Sequence, residues 1–449
     1  MPKASHEDSS GVPDEHRVQR PGGWLPEDHR LHNDWLAGTA KHVDENPKDF
    51  HPVIKEFQDL IEGSTRLYMF AQGMFDEVPE GKHPYNKDPS GQMSIRGYKH
   101  MLAVMNHLLS ESPGWSNYSH QIGLVGLPVF ALLDWPMGTS NGFAFFLDPQ
   151  VNAMLKKVLN VWGEYLQSPE SRKCLSDSDS GWFGETGRKD LTTVANLGDE
   201  KNGLPFEKLF QCDPKAEYHG YKSWDDFFTR QFHWENRPVA EPDNQNVIVS
   251  SCESKPYRIA HDVKRRDKFW VKGMPYSVLD ILNHDELAEQ FVGGTIYQAF
   301  LSALSYHRWH TPVDGTVKKV VMVDGTYYSE PLFEDFGRHP GGANTEGTSE
   351  AQAYLTATAT RALIFIEADN PAIGLLCVVQ VGMSEVSSCD VTVKEGQKLK
   401  KGDEIGMFHF GGSTYCLMFR KGVKVSGFPD PNKASQNVPV RSKIAVVEG

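Results

Sequence analysis

Lys400-Lys401-Gly402-Asp403-Glu404-Ile405-Gly406-Met407-Phe408-His409-Phe410-Gly411-Gly412-Ser413-Thr414 is the stretch that decides how this chain is read. Its partner lies upstream, Tyr306-His307-Arg308-Trp309-His310-Thr311-Pro312-Val313-Asp314-Gly315. Taken singly, each has an ordinary explanation. Gly-Gly-Ser-Thr is a common turn. Two histidines three residues apart can ligate a metal, but no third ligand cluster stands near them in sequence, so no metal site is expected.

Around these segments the texture is that of short strands. Val247-Ile248-Val249, Val317 to Val323, Ala362 to Ile366 and Leu375 to Val381 are β-branched runs, with Asp314-Gly315 and Asp324-Gly325 as turns. One helix is expected around 295–305, and residues 335–351, rich in glycine, read as a mobile surface loop. Further upstream the period becomes helical. Pro52 opens a helix that carries Val53, Ile54, Phe57, Leu60 and Ile61 and stops at Gly63. Residues 96–110 are amphipathic. Asp148 and Pro149 make an N-cap and first-turn pair ahead of Val151, Met154, Leu155, Val158, Val161, Trp162 and Tyr165. The expected class is α+β: a disordered tail over 1–23, a helical accessory domain over 24–215 without a catalytic constellation, and a β-rich domain over 216–449. No internal repeat is present.

The 449 residues carry a formal charge of −13, which gives no general attraction for nucleic acid or anionic lipid. The most apolar run, Ile122 to Leu133, holds two glycines and Pro128 and falls short of the roughly 20 residues a membrane span needs. The polar start lacks the apolar core of a secretory signal, so a cytoplasmic protein without integral membrane association is expected. The six cysteines form no C-x-x-C pair, which argues for buried free thiols over a zinc ribbon or redox motif.

The two quoted segments resemble the phosphatidylserine decarboxylase family, whose hallmarks are a Y-H-R-x-H segment and a C-terminal Gly-Ser-Thr at which the proenzyme cuts itself. Three more blocks follow in the same order. Ser223-Trp224-Asp225-Asp226-Phe227-Phe228-Thr229-Arg230 with Arg237-Pro238 is similar to the family's opening motif. Phe269-Trp270-Val271-Lys272-Gly273 with Tyr276-Ser277-Val278 matches a second, and Gly293-Gly294 a third. The resemblance covers roughly residues 216–449.

It implies a self-processing enzyme. Ser413 attacks the carbonyl of Gly412, which lacks a Cβ and tolerates the unusual backbone geometry this needs. The resulting ester eliminates, and the new N-terminus becomes a pyruvoyl group made from Ser413. That cofactor forms a Schiff base with a substrate amine and serves as electron sink when CO2 leaves. By resemblance His310 is the base, with an imidazole whose ordinary pKa near 6.5 suits accepting and returning a proton, and His307 supports it. The family's acidic orienter falls on Glu253 in Ser251-Cys252-Glu253-Ser254, one methylene longer than the family's Asp and without its flanking Pro and Gly. The two fragments are expected to stay associated.

Departures from the parent family bear on the substrate. Its Val-Gly-Ala segment stands here as Val381-Gly382-Met383-Ser384-Glu385-Val386, and Trp309 sits inside the histidine segment. With the helical extension, these features resemble the fungal L-tryptophan decarboxylase branch. The implied partner is a small amino acid, aromatic and foremost L-tryptophan, with Trp309, His409, Phe410 and Met383 as candidate pocket residues; core packing explains the same side chains equally well. Phosphatidylserine remains an alternative substrate. A non-enzymatic reading also stays open, because Val391 to Phe410 with Glu395-Gly396 and Lys401-Gly402 resembles the hammerhead turns of lipoyl and biotinyl carriers. Such a carrier requires an exposed lysine at a hairpin tip.

Overall fold

The computed structural model describes residues 28–78, 94–115, 127–199, 201–267, 275–329, 331, 351–386, 388–410 and 413–448. The expected tail 1–23, the Phe269–Gly273 block, the loop at 335–351 apart from Ala351, and Gly411-Gly412 lie outside these residues.

Helices come first: α1 (His29–Glu45), α2 (Pro52–Glu62), α3 (Thr65–Asp76), α4 (Tyr98–Leu108), α5 (Pro128–Met137), α6 (Ser140–Leu147), α7 (Pro149–Leu166), α8 (Glu185–Ala195), α9 (Phe206–Leu209) and α10 (Trp224–Phe228). The start signals act as expected. Asp148 Oδ1 accepts from the backbone N–H of Gln150 at 2.9 Å, and Pro149, which lacks an N–H, takes the first helical position of α7. No helix among the described residues is long and apolar enough to cross a membrane.

Strands follow: β1 (Val247–Val249), β2 (Lys255–Ala260), β3 (Thr295–Leu301), β4 (Arg308–His310), β5 (Gly315–Val323), β6 (Arg361–Ala368), β7 (Leu375–Gly382), β8 (Cys389–Val391), β9 (Lys398–Leu399), β10 (Glu404–Phe408), β11 (Ser413–Phe419), β12 (Val425–Ser426) and β13 (Lys443–Val447). They form a seven-stranded sheet in the order β2-β3-β11-β7-β6-β5-β9 and two three-stranded sheets, β4-β10-β8 and β1-β13-β12. The chain is therefore α+β, a helical region followed by a β-rich one.

The helix expected around 295–305 is a strand. Thr295-Ile296-Tyr297-Gln298-Ala299-Phe300-Leu301 is β3, hydrogen-bonded to β2 on one side and β11 on the other. Five of its seven residues are apolar and both faces are largely buried, so period alone does not separate helix from strand. On β11, Tyr415, Leu417 and Phe419 enter one core while Cys416 and Met418 enter the other. The first core also holds Ile54, Phe57, Leu102, Leu155 and Trp162 from the helices. Helical and β-rich regions thus share the first of these cores, and one face of β11 lies on it.

Candidate active site

Ser413 is the first residue of β11, paired with Leu301 of β3 and Gly382 of β7. Alternation along β11 puts it on the face of Tyr415 and Leu417, toward the core shared with the helices. It is fully buried, and its Oγ has no hydrogen-bond partner among the described residues. A buried hydroxyl left unmatched is costly and is found where chemistry or a ligand needs it. The next residue is fixed instead: Thr414 Oγ1 donates to the Ala299 carbonyl at 3.0 Å and accepts from Gln298 Nε2 at 3.0 Å.

His310 ends β4. Its Nδ1 lies 2.9 Å from the Gly402 carbonyl, and its Nε2 lies 3.2 Å from the Tyr306 hydroxyl. A carbonyl only accepts, so Nδ1 carries the proton and Nε2 accepts from Tyr306. Burial pushes the His310 pKa down to about 3, against the pull of the Gly402 carbonyl, and the Arg441 and Arg308 charges lower it further. This corrects the ordinary value near 6.5 expected from sequence. No hydrogen bond joins His310 to Ser413.

Glu253 does not meet His310. Its oxygens take the Arg237 guanidinium, with Nε at 3.0 Å, and the Val440 backbone N–H at 2.7 Å. The expected orienter is thus replaced by the Gly402 carbonyl. The physical reason is that both Arg237 and Glu253 are nearly solvent-free, and an unpaired buried charge costs several kcal/mol (about 3–5). Paired bidentately with Arg237 and holding the Val440 N–H, the carboxylate makes no hydrogen bond to the imidazole.

His307 is buried with its ring stacked on Phe228 at 4.2 Å, and burial holds its pKa well below the ordinary value. Trp309 of β4 is wholly buried, with Phe408 of β10 at 4.6 Å and Gly406 against its six-membered ring, a setting that core packing accounts for. Met383 is buried in the second core, its sulfur 3.7 Å from Gln352 Nε2.

His409 joins two carboxylates, Asp225 of α10 at 3.0 Å and Asp390 of β8 at 3.2 Å. Desolvation opposes its charge, but the two acids outweigh it and raise its pKa. Phe410 is buried among Trp162 at 4.6 Å, Phe228 at 5.8 Å and Trp224 at 6.1 Å, all edge-to-face. Its φ of 49° is left-handed, a conformation costing about 1–3 kcal/mol in a residue other than glycine. Three aromatic contacts, each about 0.5–1.5 kcal/mol, suffice to hold it.

Sequence reasoning passed over the placement of Glu385. Its carboxyl is buried three residues beyond Gly382, the strand partner of Ser413. Oε1 accepts from the Val129 and Phe130 backbone N–H groups at 2.6 and 2.9 Å, at the N-terminus of α5. Burial raises its pKa to about 7, although these hydrogen bonds and the neighbouring Tyr328 phenol pull the other way. The departure from the family's Val-Gly-Ala segment was the available signal. Among the described residues no group of His, Cys, Asp and Glu could hold a metal.

Two family models match, both described as phosphatidylserine decarboxylase, over residues 51–191 and 224–445. A protein named decarboxylase iboD from Amanita muscaria is 44% identical over 330 residues, 72% of this chain and 91% of that protein. An L-tryptophan decarboxylase from Psilocybe cubensis is 32% identical over 434 residues, 91% of each chain. A phosphatidylserine decarboxylase proenzyme from Fusobacterium nucleatum is 28% identical over 256 residues, 57% of this chain and 76% of that protein. From its two family matches and its near full-length likeness to fungal decarboxylases, the chain belongs to the phosphatidylserine decarboxylase family.

Proposed function

We propose that the chain cuts itself between Gly412 and Ser413 and decarboxylates an aromatic L-amino acid, L-tryptophan foremost, with a pyruvoyl group derived from Ser413. The observation that carries this is the buried Ser413 Oγ, unmatched among the described residues at the start of a strand and directly after two glycines. That orphaned hydroxyl fits a residue consumed in making a cofactor. The name of the Fusobacterium relative, a proenzyme, agrees with it.

The Ser413 hydroxyl attacks the Gly412 carbonyl. The Oγ–C bond forms and the C–N bond breaks, giving an ester. Elimination then releases Gly412 as a carboxylate, and hydrolysis of the remaining dehydroalanine frees ammonia. His310 is the proposed acceptor of the serine proton. Its Nδ1–H is held by Gly402, so Nε2 is the nitrogen open to a proton, and a proton arrives where Tyr306 now donates. A pyruvoyl ketone supplies a carbonyl for the substrate amine and an electron sink for the bond that loses CO2. Glu253 is assigned to holding Arg237 and Val440, not to orienting His310.

The L-tryptophan decarboxylase of Psilocybe cubensis, matched over 91% of its length, supports an aromatic amino acid as substrate. Phosphatidylserine, named by the family models, is the second reading. The charge of −13 argues against it, since docking on an anionic bilayer gains about 1 kcal/mol per basic residue near the surface. At the Lys401-Gly402 turn the carrier reading finds no exposed lysine in Lys401 itself, which is buried with Nζ on the Glu241 and Asn244 carbonyls at 2.7 and 2.9 Å. Lys394, beside the Glu395-Gly396 turn, is exposed, so that reading is tested by whether the purified protein cleaves.

The purified protein is expected as two polypeptides, the smaller being residues 413–449. Ser413→Ala should remain full-length at 50.4 kDa and inactive. CO2 release is then compared for tryptophan, phenylalanine, serine and phosphatidylserine liposomes. Turnover of the lipid alone returns the chain to the parent activity; normal cleavage of Ser413→Ala removes the processing assignment.

A further inference from the structure

Resting on the self-cleavage reading, we infer that Trp162 of the helical region is a positioning residue for that cleavage: it holds Phe410 in left-handed backbone three residues ahead of Ser413, so that the helices template the cut.

The two sides of the cleavage point are anchored by different parts of the molecule. Downstream, Ser413 is set by the sheet, with β3 and β7 on either side. Upstream, Phe410 is set by helices. Trp162 of α7 meets the Phe410 ring at 4.6 Å and 87°, and Trp224 and Phe228 of α10 close around it. Gly411 and Gly412 join these two points in the chain.

The helical side is itself braced. Trp162 Nε1 donates to the Glu111 carbonyl at 2.8 Å, which fixes the indole. The Trp224 backbone N–H donates to Ser171 Oγ at 2.8 Å, tying α10 to the 3₁₀ segment Pro169–Leu175. His409 adds a polar grip on the same helix through Asp225, with Asp390 on its other side. Residues 409 and 410 therefore hold α10 by charge and by ring contact together.

An ordinary core phenylalanine needs no left-handed backbone. Phe410 adopts it with a φ of 49°, and the aromatic enclosure over-determines that conformation. Attack by a serine on the carbonyl just before it requires that carbonyl to be presented in an uncommon geometry, and small misplacements of reacting atoms are expensive in rate. Phe410 is the last described residue ahead of the cut, and its setting is where the helices can act on that geometry. This gives the helical region a role in maturation, although it contributes no residue to the proton transfers.

The experiment follows cleavage after cell-free synthesis of the full chain, by loss of the 50.4 kDa species with time. Trp162→Ala should slow cleavage by about 10- to 100-fold, and Trp162→Phe, which keeps an aromatic edge, should recover most of the rate. Leu155→Ala, a buried truncation on the same helix, is the control for general loosening of α7. Circular dichroism and melting temperature show whether both alanine variants are folded. Trp162→Ala cleaving at the parental rate overturns the proposal. So does equal slowing in Trp162→Ala and Leu155→Ala at equal melting temperature. If Trp162→Ala fails to fold, the Trp162→Phe and Trp162→Leu pair decides by the same readout: slow cleavage in the leucine variant alone supports the aromatic contact, and equal rates overturn it. Release of the small fragment from Ser413→Ala would instead refute the serine chemistry beneath it, whatever Trp162 does.

Discussion

The Nδ1–H of His310 donates to the backbone carbonyl of Gly402 across 2.9 Å, so the tautomer of the proposed base is set by a main-chain atom. Gly402 has a φ of +87°, and a Cβ there would meet Val239 at 2.6 Å. The Lys401-Gly402 turn seen in the sequence therefore has a second duty beyond reversing the chain.

Gly402→Ala should accordingly move the carbonyl off His310. The expected outcome is slower self-cleavage together with a stability loss of about 1–2 kcal/mol from the left-handed alanine and its crowding. Cleavage kinetics and denaturant unfolding check this. An unchanged cleavage rate would mean that another group orients the ring.

His310→Ala should slow cleavage by about 10²- to 10⁴-fold, and His307→Ala by less. With its pKa depressed to about 3, His310 stays neutral from pH 5 to 8, so its protonation adds no pH dependence to the cleavage rate in that window. Stability follows a defined sign. The unfolded imidazole gains a proton below about 6.5 and the folded one does not, so this contribution is present above pH 6.5 and lost as pH falls toward 3. A cleavage rate climbing tenfold from pH 5 to 7, and flat in His310→Gln, would contradict the burial argument.

Glu253→Gln should act through Arg237. Removing one charge leaves the guanidinium buried and uncompensated, a loss of about 3–5 kcal/mol, and Arg237→Met should cost similarly. The double variant Arg237→Met, Glu253→Met should recover a large part, as a double-mutant cycle measured by urea unfolding will show. Slow cleavage by Glu253→Gln without loss of stability would restore this residue as the orienter.

Glu385 predicts a pH effect of opposite sign. Its folded pKa, raised from 4.5 to about 7, means that the native state holds the proton more tightly than the unfolded chain. The stabilisation is complete below pH 4.5 and disappears as pH rises through 7, by an amount on the order of 3 kcal/mol. In a Ser413→Ala background, Glu385→Gln keeps an acceptor for Val129 and Phe130 but removes the ionisation. Its melting temperature relative to the parent should therefore rise between pH 5 and pH 8. A difference independent of pH would count against the buried acid.

The cleaved fragments should remain together without a covalent link. Residues 413–449 supply β11 between β3 and β7, β13 against β1, and the Val440 N–H to Glu253. Size-exclusion chromatography of processed protein should give one species, separating only in denaturant.

Some of this was legible without coordinates, and the reason is local. Asp148 and Pro149 start α7 because capping is decided within one turn. Val317–Val323 and Leu375–Val381 read as strands because β-branched runs bounded by turns suit a sheet. Gly-Gly-Ser-Thr by itself reads as a turn, and Ser413 drew notice only because four further blocks stand in the same order as in the resembled family. Tertiary structure decided the rest, because the deciding partners are distant or carry no side-chain signature. The buried faces of β3 made a strand look like a helix. Arg237 and Glu253 were both visible in sequence, yet only folding showed that they meet each other and not His310. The Gly402 carbonyl is a backbone atom and leaves no mark in composition. Trp162 lies some 250 residues from Phe410, and periodicity tells which face of α7 is apolar but not what covers it.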